Sequence, residues 1–201
     1  TIAIPAERPL TVYVDKRELV TLMTLGGAPE MLTLGYLRNQ RLVRAIDEVL
    51  SVQVDWAVDA VAVVTRNGIA DVEERTSKKV VTTGCGQGSV FGGLMDDIEQ
   101  ISLPPDARLS QSTIYRIVET IRTQQSIYKQ AGSVHGCALF SSSGELLYFV
   151  EDVGRHNAID AIAGLMWLEG IRGDDKVFYT TGRLTSEMVI KGAQMGIPFL
   201  L

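Results

Sequence analysis

The fold of this chain is decided at Glu151-Asp152-Val153-Gly154-Arg155-His156-Asn157-Ala158-Ile159-Asp160, where an apolar strand pattern changes into a helical one. The preceding residues, Leu146 to Val150, are apolar or aromatic, as in a strand. From Asn157 to Leu168 apolar side chains recur at helical spacing, and Gly170 is a typical helix stop. The sequence therefore predicts a strand-to-helix junction here, with the helix over residues 157–168.

The elements on either side extend this junction into an α/β pattern. Ser110 is the predicted N-cap of a helix that ends near Gly132. The other predicted elements are a hairpin over residues 134–140 and 146–150, a strand over 177–180, a helix over 186–195 and a strand beginning at 197–201. The order α-β-β-α-β-α-β resembles the cytidine-deaminase-like fold, and its β-α-β crossovers predict neighbouring parallel strands covered by helices.

The first half of the chain has a mainly β pattern. Its predicted elements are strands over residues 10–14, 18–24, 46–54 and 58–65, and helices over residues 29–39 and 89–99. Leu103-Pro104-Pro105-Asp106 then breaks the chain. The sequence thus predicts two domains, a smaller β-rich lobe over residues 1–103 and a cytidine-deaminase-like α/β domain over residues 106–201.

Composition and charge restrict the functional classes. The 201 residues are 46% hydrophobic and 21% charged, which is typical of a globular protein. A net charge of −5 argues against a broad basic surface, so no nucleic-acid partner is predicted. The longest apolar stretch, residues 49–64, is interrupted by Asp55 and Asp59, and no basic-then-apolar leader opens the chain. We therefore expect a cytoplasmic protein with no membrane partner.

One cysteine stands in an open glycine loop, Thr82-Thr83-Gly84-Cys85-Gly86-Gln87-Gly88-Ser89. Gly84 and Gly86 permit unusual backbone angles and leave the thiol accessible, as a nucleophilic or sulfur-carrying cysteine requires. A small buried cysteine at a tight turn explains the segment equally well. The second cysteine, Cys137, lies in a predicted strand and is interpreted as structural, although a Cys85–Cys137 disulfide stays open.

Two strand-to-helix junctions each contain a Gly-Arg pair, Gly154-Arg155 and Gly182-Arg183. Helix N-termini present unpaired N–H groups, and arginine binds phosphate through two hydrogen bonds, so each junction suits a phosphate or pyrophosphate. Alternatively, the arginines form ordinary ion pairs with Asp152 and Glu187, and Asn157 or Ser186 caps its helix. The recurrence of the pair favours a phosphate-bearing ligand. The candidate ligand-binding residues are Asp152, Gly154, Arg155, His156, Asn157, Gly182, Arg183, Ser186 and Glu187.

His156 invites comparison with zinc deaminases, in which a histidine near a helix start binds zinc and a glutamate two residues later acts as acid and base. Here residue 158 is alanine, and Thr181-Gly182-Arg183-Leu184 stands where the paired cysteines would open the next helix. No zinc site is therefore predicted. His156 is interpreted as a ligand-binding donor, with proton transfer or a structural hydrogen bond as alternatives. His135 is interpreted as structural.

These blocks together resemble the FdhD family of formate dehydrogenase accessory proteins. The resemblance includes residues 151–160, Thr181-Gly182-Arg183 and Ser186-Glu187-Met188, and it extends to residues 8–12, 30–37 and 132–140. It therefore covers nearly the whole chain.

The resemblance implies a sulfurtransferase in which a cysteine desulfurase passes sulfur to Cys85. The resulting persulfide would sulfurate the molybdenum cofactor, bis-molybdopterin guanine dinucleotide, for formate dehydrogenase. It also implies a homodimer and a guanine-nucleotide site at the two Gly-Arg junctions. The alternative function is a non-catalytic nucleotide- or cofactor-binding chaperone for formate dehydrogenase assembly.

The chain departs from the family pattern in two places. Relatives usually carry Cys-x-x-Cys in the loop, whereas Cys85-Gly86-Gln87-Gly88 keeps only the first cysteine. Relatives also usually continue beyond Leu201 into a helix and a glycine-rich segment. The resemblance implies that this segment contributes to cofactor binding, so that part of the site is expected to be either absent from this sequence or supplied by other residues.

Overall fold

A computed structural model of the chain describes residues 4–69, 81–82 and 98–201. The strands of the first half form one mixed sheet in the order β3-β4-β1-β2-β5. They are β1 (Arg8–Val14), β2 (Arg17–Thr24), β3 (Val49–Asp55), β4 (Ala60–Thr65) and β5 (Val81–Thr82). Helix α1 (Pro29–Asn39) has the predicted bounds. The β1–β2 hairpin is also confirmed, and it turns at Asp15 and Lys16, whose φ angles are 49° and 70°.

The strands of the second half form another mixed sheet in the order β7-β6-β8-β9. They are β6 (His135–Ser141), β7 (Leu146–Asp152), β8 (Lys176–Thr180) and β9 (Phe199–Leu200). The helices are α2 (Gln111–Thr123), α3 (Ile127–Ala131), α4 (Arg155–Leu168) and α5 (Ser186–Gln194). The predicted α/β class is confirmed. The cytidine-deaminase-like assignment and the domain boundary near Pro104 stay predictions.

The expected adjacency of parallel strands holds for only one of the two crossovers. β8 and β9 are parallel neighbours, but β6 lies between β7 and β8 and is antiparallel to both. Strand β6 pairs with β7 along one edge and with β8 along the other. Because β6 lies between them, β7 and β8 are not neighbours. Sequence order alone does not reveal this choice of edge.

The single helix predicted from Ser110 to Gly132 is wrong, because the structure has two helices there. Ser110 caps α2 as predicted, and Ser126 caps the separate helix α3 by accepting a hydrogen bond from the Lys129 backbone N–H. Both carboxylate oxygens of Glu151 also accept backbone N–H groups at the start of α3, at 2.7 and 2.8 Å. The side chain of Lys129 donates to three carbonyl groups at the end of α2 and so stabilises the break.

Helices α1 and α4 join the two halves through direct backbone contact. A Cβ atom on Gly35 would lie 1.5 Å from the carbonyl oxygen of Asp160, and one on Gly164 would lie 2.0 Å from that of Met31. Glycine is required at both positions because only its missing side chain allows this approach. Ala161 of α4 also belongs to the apolar core beneath the first sheet. The start of α4 is thereby held close to the first half of the chain.

Within the described residues, none of the helices combines the length and the apolar character needed to span a membrane.

Candidate functional site

The predicted cysteine loop lies outside the described residues. This applies to Cys85, to the flanking Gly84 and Gly86, and to most of the helix predicted over residues 89–99. Strand β5 is described as far as Thr82, three residues before Cys85 in the chain. The candidate site is therefore built from the two Gly-Arg junctions of the second half.

The two junctions meet through the side chain of Arg155. A Cβ atom on Gly182 would lie 2.8 Å from Cδ of Arg155 and 3.3 Å from Nδ1 of His135. Gly182 follows β8, Arg155 begins α4 and His135 begins β6, so three elements converge here. We call Arg155, His135 and His156 the Arg155 cluster.

Arg155 is buried and has no side-chain partner among the described residues. Its side chain is only 7% exposed, and it forms no hydrogen bond or ion pair with any described residue. The ion pair with Asp152 that the alternative interpretation predicted is therefore not formed. A mostly buried guanidinium that finds no counter-charge among the described residues is costly, which favours an anion that binds beside it.

Arg183 does not join this cluster. It lies in the loop before α5, its side chain is exposed, and it forms no side-chain bond with a described residue, including the expected partner Glu187. Ser186 is exposed at the first position of α5. The structure thus brings only one of the two predicted arginines into the buried site.

His156 is fully buried and electrically neutral near pH 7. Burial, followed by the positive charges of Lys191 and Arg155, lowers its pKa to about 3. Nε2 lies 3.4 Å from Oε2 of Glu187, but neither ring nitrogen forms a hydrogen bond with a described residue. Because the ring is neutral, this contact is not an ion pair at neutral pH. The imidazole keeps a donor and an acceptor available for a ligand.

His135 was interpreted from the sequence as structural, yet it lies beside Arg155. Burial and the charge of Arg155 lower its pKa, and its Nδ1 atom is buried without a partner among the described residues. The sequence did not indicate that His135 lies near Arg155 and Gly182, because this proximity arises only when β6 pairs with β8. A polar residue at the first position of a buried strand was the one available signal.

The N-caps of α4 and α5 are not the residues proposed from the sequence. Gly154 and Thr185 occupy these positions, and neither forms a side-chain capping bond. Asn157 and Ser186 instead lie inside the helices. At the start of α4 the first backbone N–H groups therefore lack helical partners, which adds partial positive charge next to Arg155.

Asp152 is engaged within the protein. Its Oδ2 atom accepts the hydroxyl of Thr24 at 2.5 Å, and Oδ1 accepts the backbone N–H of Val153 at 2.7 Å and the side-chain amide of Asn157 at 3.1 Å. Burial raises the pKa of Asp152, and these hydrogen bonds oppose the rise. Both oxygens are thus committed to internal bonds, so Asp152 is poorly suited to bind a ligand directly.

Cys137 is a free cysteine in the core of the second half. Its Sγ atom donates to Oγ1 of Thr180 at 3.3 Å, and burial raises its pKa to about 12. The thiolate is therefore scarce near pH 7, and the thiol is inaccessible to reagents and partners. The structural interpretation of Cys137 is confirmed.

Fold and site together define an α/β protein whose two mixed sheets are joined by packed helices and whose second half carries a buried, positively charged cluster at a helix start. The FdhD/NarQ family model matches residues 5–201, and the chain belongs to this family.

Named relatives agree with this assignment. The sulfur carrier protein FdhD of Listeria innocua is 31% identical over 202 residues, which cover 99% of this chain and 77% of the relative. That of Sulfurisphaera tokodaii is 34% identical over 199 residues, which cover 96% and 74%. A crystal structure from Desulfotalea psychrophila, provisionally described as a formate dehydrogenase accessory protein, superimposes with a TM-score of 0.73 at 26% identity. The match covers 99% of this chain and 73% of that one.

Proposed function

We propose that this protein is a sulfur carrier that serves the maturation of formate dehydrogenase and that Cys85 holds the sulfur. The observation that carries the proposal is the state of the other thiol. The chain has two cysteines, and Cys137 is buried with a pKa raised to about 12. In a family whose relatives are named sulfur carriers, this leaves Cys85 as the candidate.

Loading of Cys85 is a balanced exchange of thiols. Its thiolate attacks the terminal sulfur of a persulfide on a cysteine desulfurase, and a new S–S bond forms on Cys85. The S–S bond in the desulfurase breaks, and the desulfurase cysteine leaves as a thiolate. No external oxidant or reductant is needed, since one persulfide replaces another.

Release of sulfur as sulfide needs two electrons, which two thiols supply when they are oxidised to a disulfide. The first thiol attacks Sγ of Cys85, hydrosulfide leaves, and a mixed disulfide remains, which a second thiol then reduces. Because the loop has glycine at position 88, where relatives usually have a second cysteine, both thiols must come from outside the loop. The acceptor in this proposal is the molybdenum cofactor, bis-molybdopterin guanine dinucleotide.

The Arg155 cluster is the proposed binding site for the pyrophosphate part of that substrate. Arg155, which has no side-chain partner among the described residues, lies beside two neutral imidazoles and the start of α4, and each of these groups can donate hydrogen bonds.

Incubation with a cysteine desulfurase and free cysteine should add the mass of one sulfur atom to the protein. We expect Cys85→Ala to abolish the adduct, because the accepting thiol is lost. Cys137→Ser is the matched control, since serine keeps a donor to Thr180, and it should load like the wild type. Intact-protein and peptide mass spectrometry measure both results. An adduct that persists in Cys85→Ala would refute the carrier role of Cys85.

Because Arg155 has no side-chain partner in the part of the chain that the structure describes, it also favours the second candidate function, a nucleotide- or cofactor-binding chaperone in which Cys85 has no role. Hydrogen bonds to charged groups contribute about 1.5–3 kcal/mol, so Arg155→Ala should weaken GDP binding by about 10-fold or more. Arg183→Ala is the matched control, and a smaller loss is expected because Arg183 is exposed. Calorimetric titration of both variants measures this difference.

The thermal midpoint of unfolding of Arg155→Ala shows whether a loss of GDP affinity comes from the missing guanidinium or from unfolding of the protein. Arg155→Ala removes a buried charge that has no partner among residues 4–69, 81–82 and 98–201, so it should leave the thermal midpoint of unfolding unchanged or raise it. Equal GDP affinities in Arg155→Ala and the wild type would contradict a ligand role for the Arg155 cluster.

A further inference from the structure

The end of strand β2 is bonded to the end of strand β7, just before helix α4, across 128 residues of sequence. Thr24 is the last residue of β2 and is 1% exposed, and Asp152 is the last residue of β7 and is 6% exposed. The hydroxyl of Thr24 donates to Oδ2 of Asp152 at 2.5 Å and accepts the backbone N–H of Gly26 at 3.1 Å. This buried contact links the first half of the chain to the junction that carries Arg155.

Neighbouring bonds reinforce the same contact. The side-chain amide of Asn157 donates to the carbonyl oxygen of Met23 at 2.7 Å, and the backbone N–H of Leu25 donates to Oδ1 of Asp152 at 3.4 Å. Three consecutive residues of the first half are thus bonded to the β7–α4 junction. We call the bonds of Met23, Thr24 and Leu25 to Asp152 and Asn157 the β2–α4 clamp.

Strand β5 lies beside the strand that is clamped. It pairs with β2 in parallel, with Thr21 opposite Val81 and Leu22 opposite Thr82. Parallel strands run toward the same edge of a sheet. The chain therefore leaves β5 at the edge where β2 reaches Thr24, and the β2–α4 clamp fixes that edge relative to the Arg155 cluster.

The geometry points to Thr24 as a positioning residue for sulfur delivery, acting through Asp152. This inference rests on the proposed function. The β2–α4 clamp fixes the end of β5 relative to the start of α4. The chain continues from β5 to Cys85, and the start of α4 binds the acceptor in the proposed function. Transfer between two bound groups depends steeply on their alignment, and a misplacement of about 1 Å can cost about 100-fold in rate. Loading of Cys85 and binding at the Arg155 cluster do not require this alignment.

The test compares four threonine variants in the full chain, one of which, Thr24→Ala, removes the hydroxyl and the methyl group of the side chain together. Thr24→Val keeps the shape of the side chain and removes its hydroxyl, whereas Thr24→Ser keeps the hydroxyl. Thr21→Val is the matched control on the same strand, because it breaks the hydroxyl contact of Thr21 with Thr11 at 3.0 Å and leaves the clamp intact. The readouts are sulfur loading by a cysteine desulfurase, GDP affinity, and formate dehydrogenase activity in cells whose own family member is deleted.

We expect Thr24→Val to reduce formate dehydrogenase activity by about 10-fold or more while loading and GDP affinity stay within about 3-fold of the wild type. Thr24→Ser should restore the activity, and Thr21→Val should not lose it. Full activity in Thr24→Val would overturn the inference. So would equal losses in all three readouts, or unfolding of both Thr24→Val and Thr24→Ala, since either result would assign the contact to folding alone. A wild type that takes up no sulfur would instead refute the proposed function.

Discussion

Gly35→Ala is expected to destabilise the protein by at least about 3 kcal/mol, the upper end of the usual cost of overpacking. The added Cβ atom would lie 1.5 Å from the carbonyl oxygen of Asp160, so helices α1 and α4 would have to move apart. Backbone atoms of a packed helix cannot rotate away as a side chain can. Since small domains are stable by about 5–15 kcal/mol, this loss is a large share of the total. Urea unfolding followed by circular dichroism measures it.

Gly27→Ala is the matched control for the glycine contact. No atom lies within 4 Å of the position where its Cβ atom would stand, and its φ angle is outside the left-handed region. It should therefore leave the free energy of unfolding nearly unchanged. If Gly35→Ala were as stable as Gly27→Ala, the close crossing of α1 and α4 would be wrong.

Lys191→Met is expected to cost about 3–5 kcal/mol, because it leaves a buried carboxylate without its cation. Nζ of Lys191 donates to both carboxylate oxygens of Asp160 at 2.9 Å, and both side chains are fully buried. Asn39 of α1 donates to the same carboxylate at 2.7 Å, so the pair connects α1, α4 and α5. The thermal midpoint and the urea midpoint of unfolding should both fall.

Two comparisons separate the charge effect from the loss of packing. The double variant Asp160→Asn with Lys191→Met removes both charges and should be more stable than Lys191→Met alone. Arg122→Ala breaks an exposed ion pair with Glu119 and should cause no measurable change. A double variant as unstable as the single one would show that packing of the lysine stem, not charge, is what matters.

Local sequence signals predicted most of the helices and strands. Pro29 and the apolar spacing after it located α1, and Asp15 and Lys16 located the β1–β2 turn, because these signals act within a few residues. The break between α2 and α3 was missed because it depends on the side chains of Lys129 and Glu151, the latter from a strand 23 residues away. The position of β6 between β7 and β8 was also missed, because it depends on pairing with a strand that is distant in the sequence.

The candidate site was only partly predictable. Glycine and arginine at the start of α4 suggested an anion site, and Arg155 is indeed buried there without a described partner. The Gly-Arg pair at Arg183 does not form a buried anion site, because the side chain of Arg183 lies in an exposed loop. The presence of His135 beside Arg155, and the engagement of Asp152 by Thr24, both depend on contacts between distant parts of the chain.

The burial of Cys137 removes one of the two cysteines of this sequence from reaction with thiol reagents. With its pKa raised to about 12 and its side chain inaccessible, Cys137 cannot compete for an alkylating agent or a fluorophore near pH 7. Because the chain has two cysteines, any label incorporated into the folded protein identifies Cys85. Distance and redox measurements on the loop therefore need no substitution of Cys137.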